Sequence, residues 1–263
     1  MRLALTLIFA LALCTPASAT NPPAVQQGVP ILLYHRFGPT VADGMTITTP
    51  VFESHLKYLK DNGYTVIPLR RLVDWYQKKA PAPPAKSVVI VEDDAHKTVY
   101  SDMLPLAKKY NVPVTVFVYP SAISNASYAM TWDQLRELKK SGLFDIQSHS
   151  YWHPNFKREK KKLKPAEFGK LVDTQLRKSK DRLEKEIGSK VDLLAWPFGI
   201  YDDFLLGRAA AAGYTATFTI ERHHAVSGDS VMKLPRYLLL NSDQGKAFTQ
   251  ILAGTAPQRK IVY

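Results

Sequence analysis

Four short stretches of the chain concentrate side chains that can ligate a metal, move protons or hold a fixed charge. Val88-Val89-Ile90-Val91 runs straight into Glu92-Asp93-Asp94, so three carboxylates stand where an apolar, β-branched segment leaves the core. Packing gives no reason for three adjacent acids, whose repulsion has to be compensated by a cation or by hydrogen bonds. Taken alone, the triplet fits a helix cap and a solvated turn equally well. Gln147-Ser148-His149-Ser150-Tyr151-Trp152-His153-Pro154 carries two histidines four apart, a spacing at which both rings can meet on one side of a helical turn. One carboxylate with two neutral imidazoles can hold a zinc-like ion and leave a position open for water and substrate. Ala195-Trp196-Pro197-Phe198-Gly199 reads by itself as a rigid loop, and Leu234-Pro235-Arg236 as a short apolar segment ending in a permanent cation.

Each stretch follows an apolar run, so the surrounding elements decide whether the four can meet. Ile31-Leu32-Leu33-Tyr34 predicts a buried strand ending at His35, and a helix from Pro50 carries Phe52, Leu56 and Leu59 on one face. A strand over 64–67 follows, and Pro81, Pro83 and Pro84 then make an extended connector. Beyond it the pattern predicts strands over 87–91, 114–118, 144–147, 193–195 and 216–219, with another near Leu238. Helices are predicted through Val99–Tyr110 and over 133–141, 165–187 and 203–212, with a last one from Asp243. Strand-then-helix order of this kind predicts a parallel sheet covered by helices, either closed as a barrel or open and doubly wound. In both architectures the ligand site lies beyond the carboxyl ends of the strands, where these polar stretches fall.

The whole chain has 263 residues, 46% of them hydrophobic, with 35 Lys plus Arg against 23 Asp plus Glu and a formal charge of +12. This composition excludes a disordered, collagen-like or polytopic membrane protein. Met1-Arg2, the apolar run from Leu3 to Cys14 and then Ala17-Ser18-Ala19 predict a secretory signal over residues 1–19, cleaved after Ala19. Residues 20–263 are then expected as one catalytic domain that is exported, periplasmic or extracellular. Cys14 is the chain's single cysteine, so the exported part has neither disulfides nor thiolate ligands. Leu13 stands where a lipid-attachment signal needs a small residue. The positive surplus favours an anionic neighbour such as an acidic glycan or a headgroup layer, and export argues against nucleic acid. The basic run over 157–164 reads as a solvated loop and helix start, or alternatively as a rim facing such a surface.

Taken in order, the strand ending in Asp93-Asp94, the cluster from His149 to His153, Trp196-Pro197-Phe198-Gly199 and Leu234-Pro235-Arg236 resemble the polysaccharide deacetylases of carbohydrate esterase family 4. The similarity runs from Ile31 to Leu234. Tyr34-His35-Arg36 and the stretch 52–69 resemble in particular the exported branch that deacetylates the poly-N-acetylglucosamine of biofilms. The resemblance implies a distorted (β/α) barrel of about seven parallel strands and metal-dependent hydrolysis of N-acetyl groups on a polysaccharide. It implies Asp94, His149 and His153 as ligands of one divalent ion, zinc by default of ligand type, with nickel, cobalt or iron also accommodated. It implies Asp93 as the catalytic base, with a backbone N–H near Phe198 helping the ion to stabilise the oxyanion.

Many relatives have a histidine where Arg236 stands, and arginine cannot release a proton. The biofilm branch points instead to His35 as general acid, with His223-His224 as the rival, and Arg236 is expected to pair with Asp93 and keep it ionised. Trp152 is expected to offer a platform to a sugar ring, with Tyr128, Trp132 and Tyr151 as further aromatic candidates. Two positions depart from the family. Its usual Phe-Asp-Asp-Gly is here Glu92-Asp93-Asp94-Ala95, and if the glycine serves a positive φ, alanine costs about 1 kcal/mol or shifts the loop. Glu92 is expected on the opposite side of the strand end from Asp93. These departures leave two other readings beside deacetylation: a non-catalytic glycan-binding protein on the same fold, and an O-acetyl esterase.

Overall fold

The computed structural model describes residues 28–259, and the expected signal segment over 1–19 lies outside them. In chain order the strands are β1 Ile31–Tyr34, β2 Arg36–Gly38, β3 Thr46–Thr48, β4 Thr65–Val66, β5 Ser87–Asp93, β6 Val114–Val118, β7 Phe144–Ser148, β8 Leu193–Ala195, β9 Ala216–Phe218 and β10 Tyr237–Leu238. The helices are α1 Thr49–Asp61, α2 Leu69–Tyr76, α3 Leu104–Tyr110, α4 Trp132–Lys140, α5 Phe156–Lys162, α6 Pro165–Ile187, α7 Asp203–Ala211 and α8 Lys246–Leu252. Among the described residues no helix is long and apolar enough to cross a membrane.

The main sheet has the order β10-β1-β5-β6-β7-β8-β9, every pair parallel, with β4 added against the start of β5. Strands follow one another around the sheet without the order reversal of a doubly wound fold, which decides between the two predicted architectures in favour of a curled, barrel-like sheet. Leu234 spans the two edges. Its carbonyl accepts from the Thr219 amide, its own amide donates to the Thr217 carbonyl (both 2.9 Å), and the chain then enters β10.

Burial on both faces explains why the strands read as continuous apolar runs, and side-chain alternation sorts them into two cores. Ile31, Leu33, Val89, Val91, Phe117, Leu193, Ala195, Ala216, Phe218 and Leu238 fill the inside, together with Leu69, Leu72 and Val73 of α2. Leu32, Tyr34, Val88, Ile90, Val114, Val116, Val118, Ile146 and Leu194 face outward beneath the other helices.

Three elements differ from expectation. The basic run is a helix, α5, because the Asn155 side chain accepts from the Arg158 amide at its start and Phe156 is buried in the outer core. The helix through Val99 opens as a π turn, Val99–Met103, before α3. The last helix begins at Lys246, not Asp243, whose carboxylate is held by Arg222 and Arg259.

Candidate metal centre and active site

The inside parity of β5 runs through Val89 and Val91 to Asp93, so this carboxylate ends the strand aimed into the barrel mouth. Asp93 is 2% exposed, and both its oxygens are taken by Arg236, Nη1 donating to Oδ1 at 2.7 Å and Nη2 to Oδ2 at 2.9 Å. Arg236 is itself fully buried, donates its Nε–H to the Thr219 carbonyl at 2.8 Å and lies 5.4 Å from the Phe117 ring centroid. Burial works against the charge on Asp93, but the guanidinium, followed by His149, outweighs it and holds the carboxyl at about 2.

Directly after β5 the backbone turns left-handed at two consecutive residues, Asp94 (φ +86°) and Ala95 (φ +54°). The positive φ anticipated at Ala95 is therefore present, and Asp94 is swung to the same mouth as Asp93. Burial lifts the Asp94 carboxyl above its ordinary value against the pull of His35. Glu92 has the outward parity of Val88 and Ile90 and is fully buried, so it faces away from the mouth as expected. Burial, with the charges of Asp94 and Asp93, pushes its carboxyl well above the ordinary carboxylate range.

His149 follows β7, and its Nδ1 sits 2.8 Å from the Ala195 carbonyl at the end of β8. A carbonyl only accepts, so Nδ1 carries the proton and Nε2 turns its lone pair to the mouth. Nε2 is 3.6 Å from Asp93 Oδ2 and 3.7 Å from Asp94 Oδ1, and His153 Nε2 is 3.8 Å from Asp94 Oδ1. The two histidines do not lie on a helical turn. Ser150 (φ +63°) and His153 (φ +61°) fold the segment into a tight loop that brings the rings to 4.7 Å between centroids. Burial above all lowers both imidazoles, His149 to about 3 and His153 to about 4, so both are neutral donors near neutral pH.

One donor atom from each of Asp94, His149 and His153 lies within 4.8 Å of the others. The N···O gaps are too long for hydrogen bonds and slightly wider than the roughly 3.3 Å edge of a tetrahedron with zinc-length bonds. These residues fit one divalent ion by donor type and spacing, and His149 also by its tautomer.

His35 continues the inside parity of β1, and since Tyr34 pairs with Glu92 it stands beside Asp93. Burial lowers its pKa while Asp94 and Asp93 resist, and its buried Nδ1 has no hydrogen-bond partner among the described residues. Phe198 (φ +57°) closes the other side, with its ring edge-on to His153 at 4.5 Å. Trp152, 51% exposed, lies on the loop between the two histidines, and that loop is tied down by Gln175 Oε1, which accepts from the amides of Tyr151 and Trp152.

Other candidates fall elsewhere. His224 binds the Ile251 carbonyl at the opposite end of the barrel, near Gly28, and His223 stays exposed beside it. Trp132 packs under Arg182, and Tyr151 under Lys178. Tyr119 was missed. Its ring centroid is 5.3 Å from that of His153, and its hydroxyl donates to that of Tyr128 at 2.9 Å. It comes one residue after β6, so the strand-end rule that selected the other four stretches would have found it.

A family model described as polysaccharide deacetylase matches residues 80–217, more than half the chain. The protein belongs to this family, carbohydrate esterase family 4. Among curated relatives it is similar to a poly-beta-1,6-N-acetyl-D-glucosamine N-deacetylase of Staphylococcus aureus (strain MRSA252), 27% identical over 199 residues that span 74% of this chain and 68% of that protein. Among solved structures it is similar to the Streptococcus pyogenes deacetylase PplD in complex with acetate (TM-score 0.77, 23% identity, 86% of this chain and 99% of that one). It is also similar to IcaB from Ammonifex degensii (TM-score 0.76, 23% identity, 88% and 97%). At that identity these two likenesses speak for the fold, the same curled parallel sheet.

Proposed function

We propose that the protein is an exported, metal-dependent N-deacetylase acting on a polymer of N-acetylhexosamine outside the cytoplasm. The observation that carries this reading is the convergence of Asp94, His149 and His153 beside a second carboxylate, Asp93, gripped by a buried arginine. Asp94, His149 and His153 would hold one divalent ion, zinc first by donor type and nickel, cobalt or iron as alternatives. When bound, such an ion supplies Lewis acidity toward an acetamide carbonyl and lowers the pKa of water. Asp93, kept ionised by Arg236, takes the proton from the attacking water through a lone pair not used by the guanidinium. His35, in its protonated imidazolium form, gives a proton to the leaving amine, and a backbone N–H near Phe198 supports the oxyanion. Trp152 offers its exposed ring to a sugar face.

The Staphylococcus aureus relative makes β-1,6-linked N-acetylglucosamine oligomers the first substrate to try. The exposed Lys157, Arg158, Lys161 and Lys164 suit an anionic envelope surface better than the product, which is cationic once deacetylated. The test is acetate release from these oligomers by the purified protein, after chelation, and after adding back zinc, cobalt or nickel. Release that chelation abolishes and metal restores is expected. A folded protein that releases no acetate with any of the three overturns the proposal.

A further inference from the structure

The two departures from the family's strand-end motif meet in space. Glu92 Oε2 accepts the Ala95 amide hydrogen at 3.2 Å, and both residues are fully shielded from solvent. The carboxyl lies against the very peptide that follows Asp94, across a turn with positive φ at both Asp94 and Ala95. The rest of the turn is held by backbone alone: the Asp94 amide donates to the Phe117 carbonyl, and the Ala95 carbonyl accepts from Met130. A glycine at the second position needs no such help, because it has no Cβ to oppose the left-handed conformation. Alanine has a Cβ that opposes it, and the buried amide at this position, which glycine would also carry, has the Glu92 carboxyl as its acceptor.

We infer that Glu92 and Ala95 are a compensating pair, with Glu92 a positioning residue that clamps the left-handed turn and so aims the Asp94 carboxylate at the metal site. The inference rests on the metal-site reading only for what Asp94 does, and the clamp itself is a property of the folded chain without metal. It makes Glu92 and Ala95 a substitute for the usual glycine and not a sign of decayed function.

The experiment is a double-mutant cycle on the full protein using Glu92→Leu, nearly isosteric but without an acceptor, Ala95→Gly, and the two combined, with Glu92→Gln as the conservative control. Cobalt affinity of the metal-free protein by its visible absorption, thermal midpoint without metal, and kcat are read for each. Glu92→Leu is expected to weaken cobalt binding and lower kcat at least tenfold, Ala95→Gly to change little, and the combination to return within about threefold of the parent. Glu92→Gln, which keeps a carbonyl oxygen for the amide, stays near the parent. If Glu92→Leu does not fold, recovery of soluble protein on adding Ala95→Gly is the same rescue. Additive losses in the combined variant, or a Glu92→Leu protein that binds cobalt as well as the parent, overturn the inference. Should the parent bind no cobalt at all, the metal-site reading fails, and the clamp is then judged on the coupling of thermal midpoints, which must be non-additive.

Discussion

A guanidinium with no access to water, donating two nearly parallel bonds to one carboxylate, defines the chemistry at the residue scale. Arg236→Met leaves Asp93 as an uncompensated buried charge and is expected to cost about 3–5 kcal/mol in urea unfolding. Arg236→Lys keeps the charge but loses the fork; losing one charge-assisted bond worth about 1.5–3 kcal/mol predicts a fall in kcat of roughly 10- to 150-fold. Wild-type kcat in the lysine variant would show that the pairing geometry does not matter. Trp152 is a contrasting case. Its ring is half in solvent, so Trp152→Ala should leave thermal stability and kcat alone and raise KM for oligomers by roughly 2- to 10-fold, the loss of one stacking contact. A fall in kcat at unchanged KM would exclude it as a platform.

At the scale of elements, the site depends on how β7 and β8 are held together. Their ladder has a single registered pair, Ser148 with Leu194, yet β8 supplies the Ala195 carbonyl that orients His149. The buried side chain of Gln147 makes up the difference: Oε1 accepts from the amides of Asp192 and Leu193, and Nε2 donates to Asp145 and to the Lys190 carbonyl. Gln147→Leu strands two buried amides and is expected to cost about 2–4 kcal/mol, with a parallel loss of zinc affinity measured by competition with a chromogenic chelator. Unchanged affinity in a destabilised variant would mean that β8 does not set the His149 ring. Apolar runs ending in acids, imidazoles or arginine were legible in the sequence because a parallel sheet buries both faces and delivers its strand ends to one side. The loop joining His149 to His153 was not, since helical spacing and a left-handed hairpin place two side chains four apart equally close. Five of the non-glycine residues with positive φ, Asp94, Ala95, Ser150, His153 and Phe198, crowd this mouth. Such conformations cost about 1–2 kcal/mol each and are sustained by tertiary contacts that residue type does not announce. Gln147 was passed over for a similar reason: the groups through which it ties β8 to β7, the Asp192 and Leu193 amides and the Lys190 carbonyl, are backbone groups more than forty positions away.

At the scale of the whole molecule, α1 on one side of the barrel is joined to the turn before α8 through a buried histidine. His55 Nε2 lies 2.7 Å from the Asp243 carbonyl and therefore carries the proton, so its Nδ1 accepts from the Tyr34 hydroxyl at 3.1 Å. Its ring stacks on Phe248 of α8 at 4.0 Å, while the Asp243 carboxylate takes Arg222 and Arg259. Burial is the main cause that lowers His55 to about 4, against the opposing pull of Asp243. The folded ring thus stays neutral where the unfolded chain, with an ordinary value near 6.5, takes up a proton. Between those two values the unfolded state binds more protons, so stability rises with pH and is lost as pH falls from about 6.5 towards 4, by up to about 3 kcal/mol from this residue. His149 and His153 contribute with the same sign in the metal-free protein, so the comparison must be made within one metal state. In urea titrations with chelator present, His55→Phe should start from a lower stability at pH 7, having lost both hydrogen bonds. Its further loss between pH 7 and pH 5 should be smaller than that of the parent by about 2 kcal/mol. Parallel pH profiles for the two proteins would mean that His55 titrates normally and that the joint between α1 and α8 opens before the barrel does.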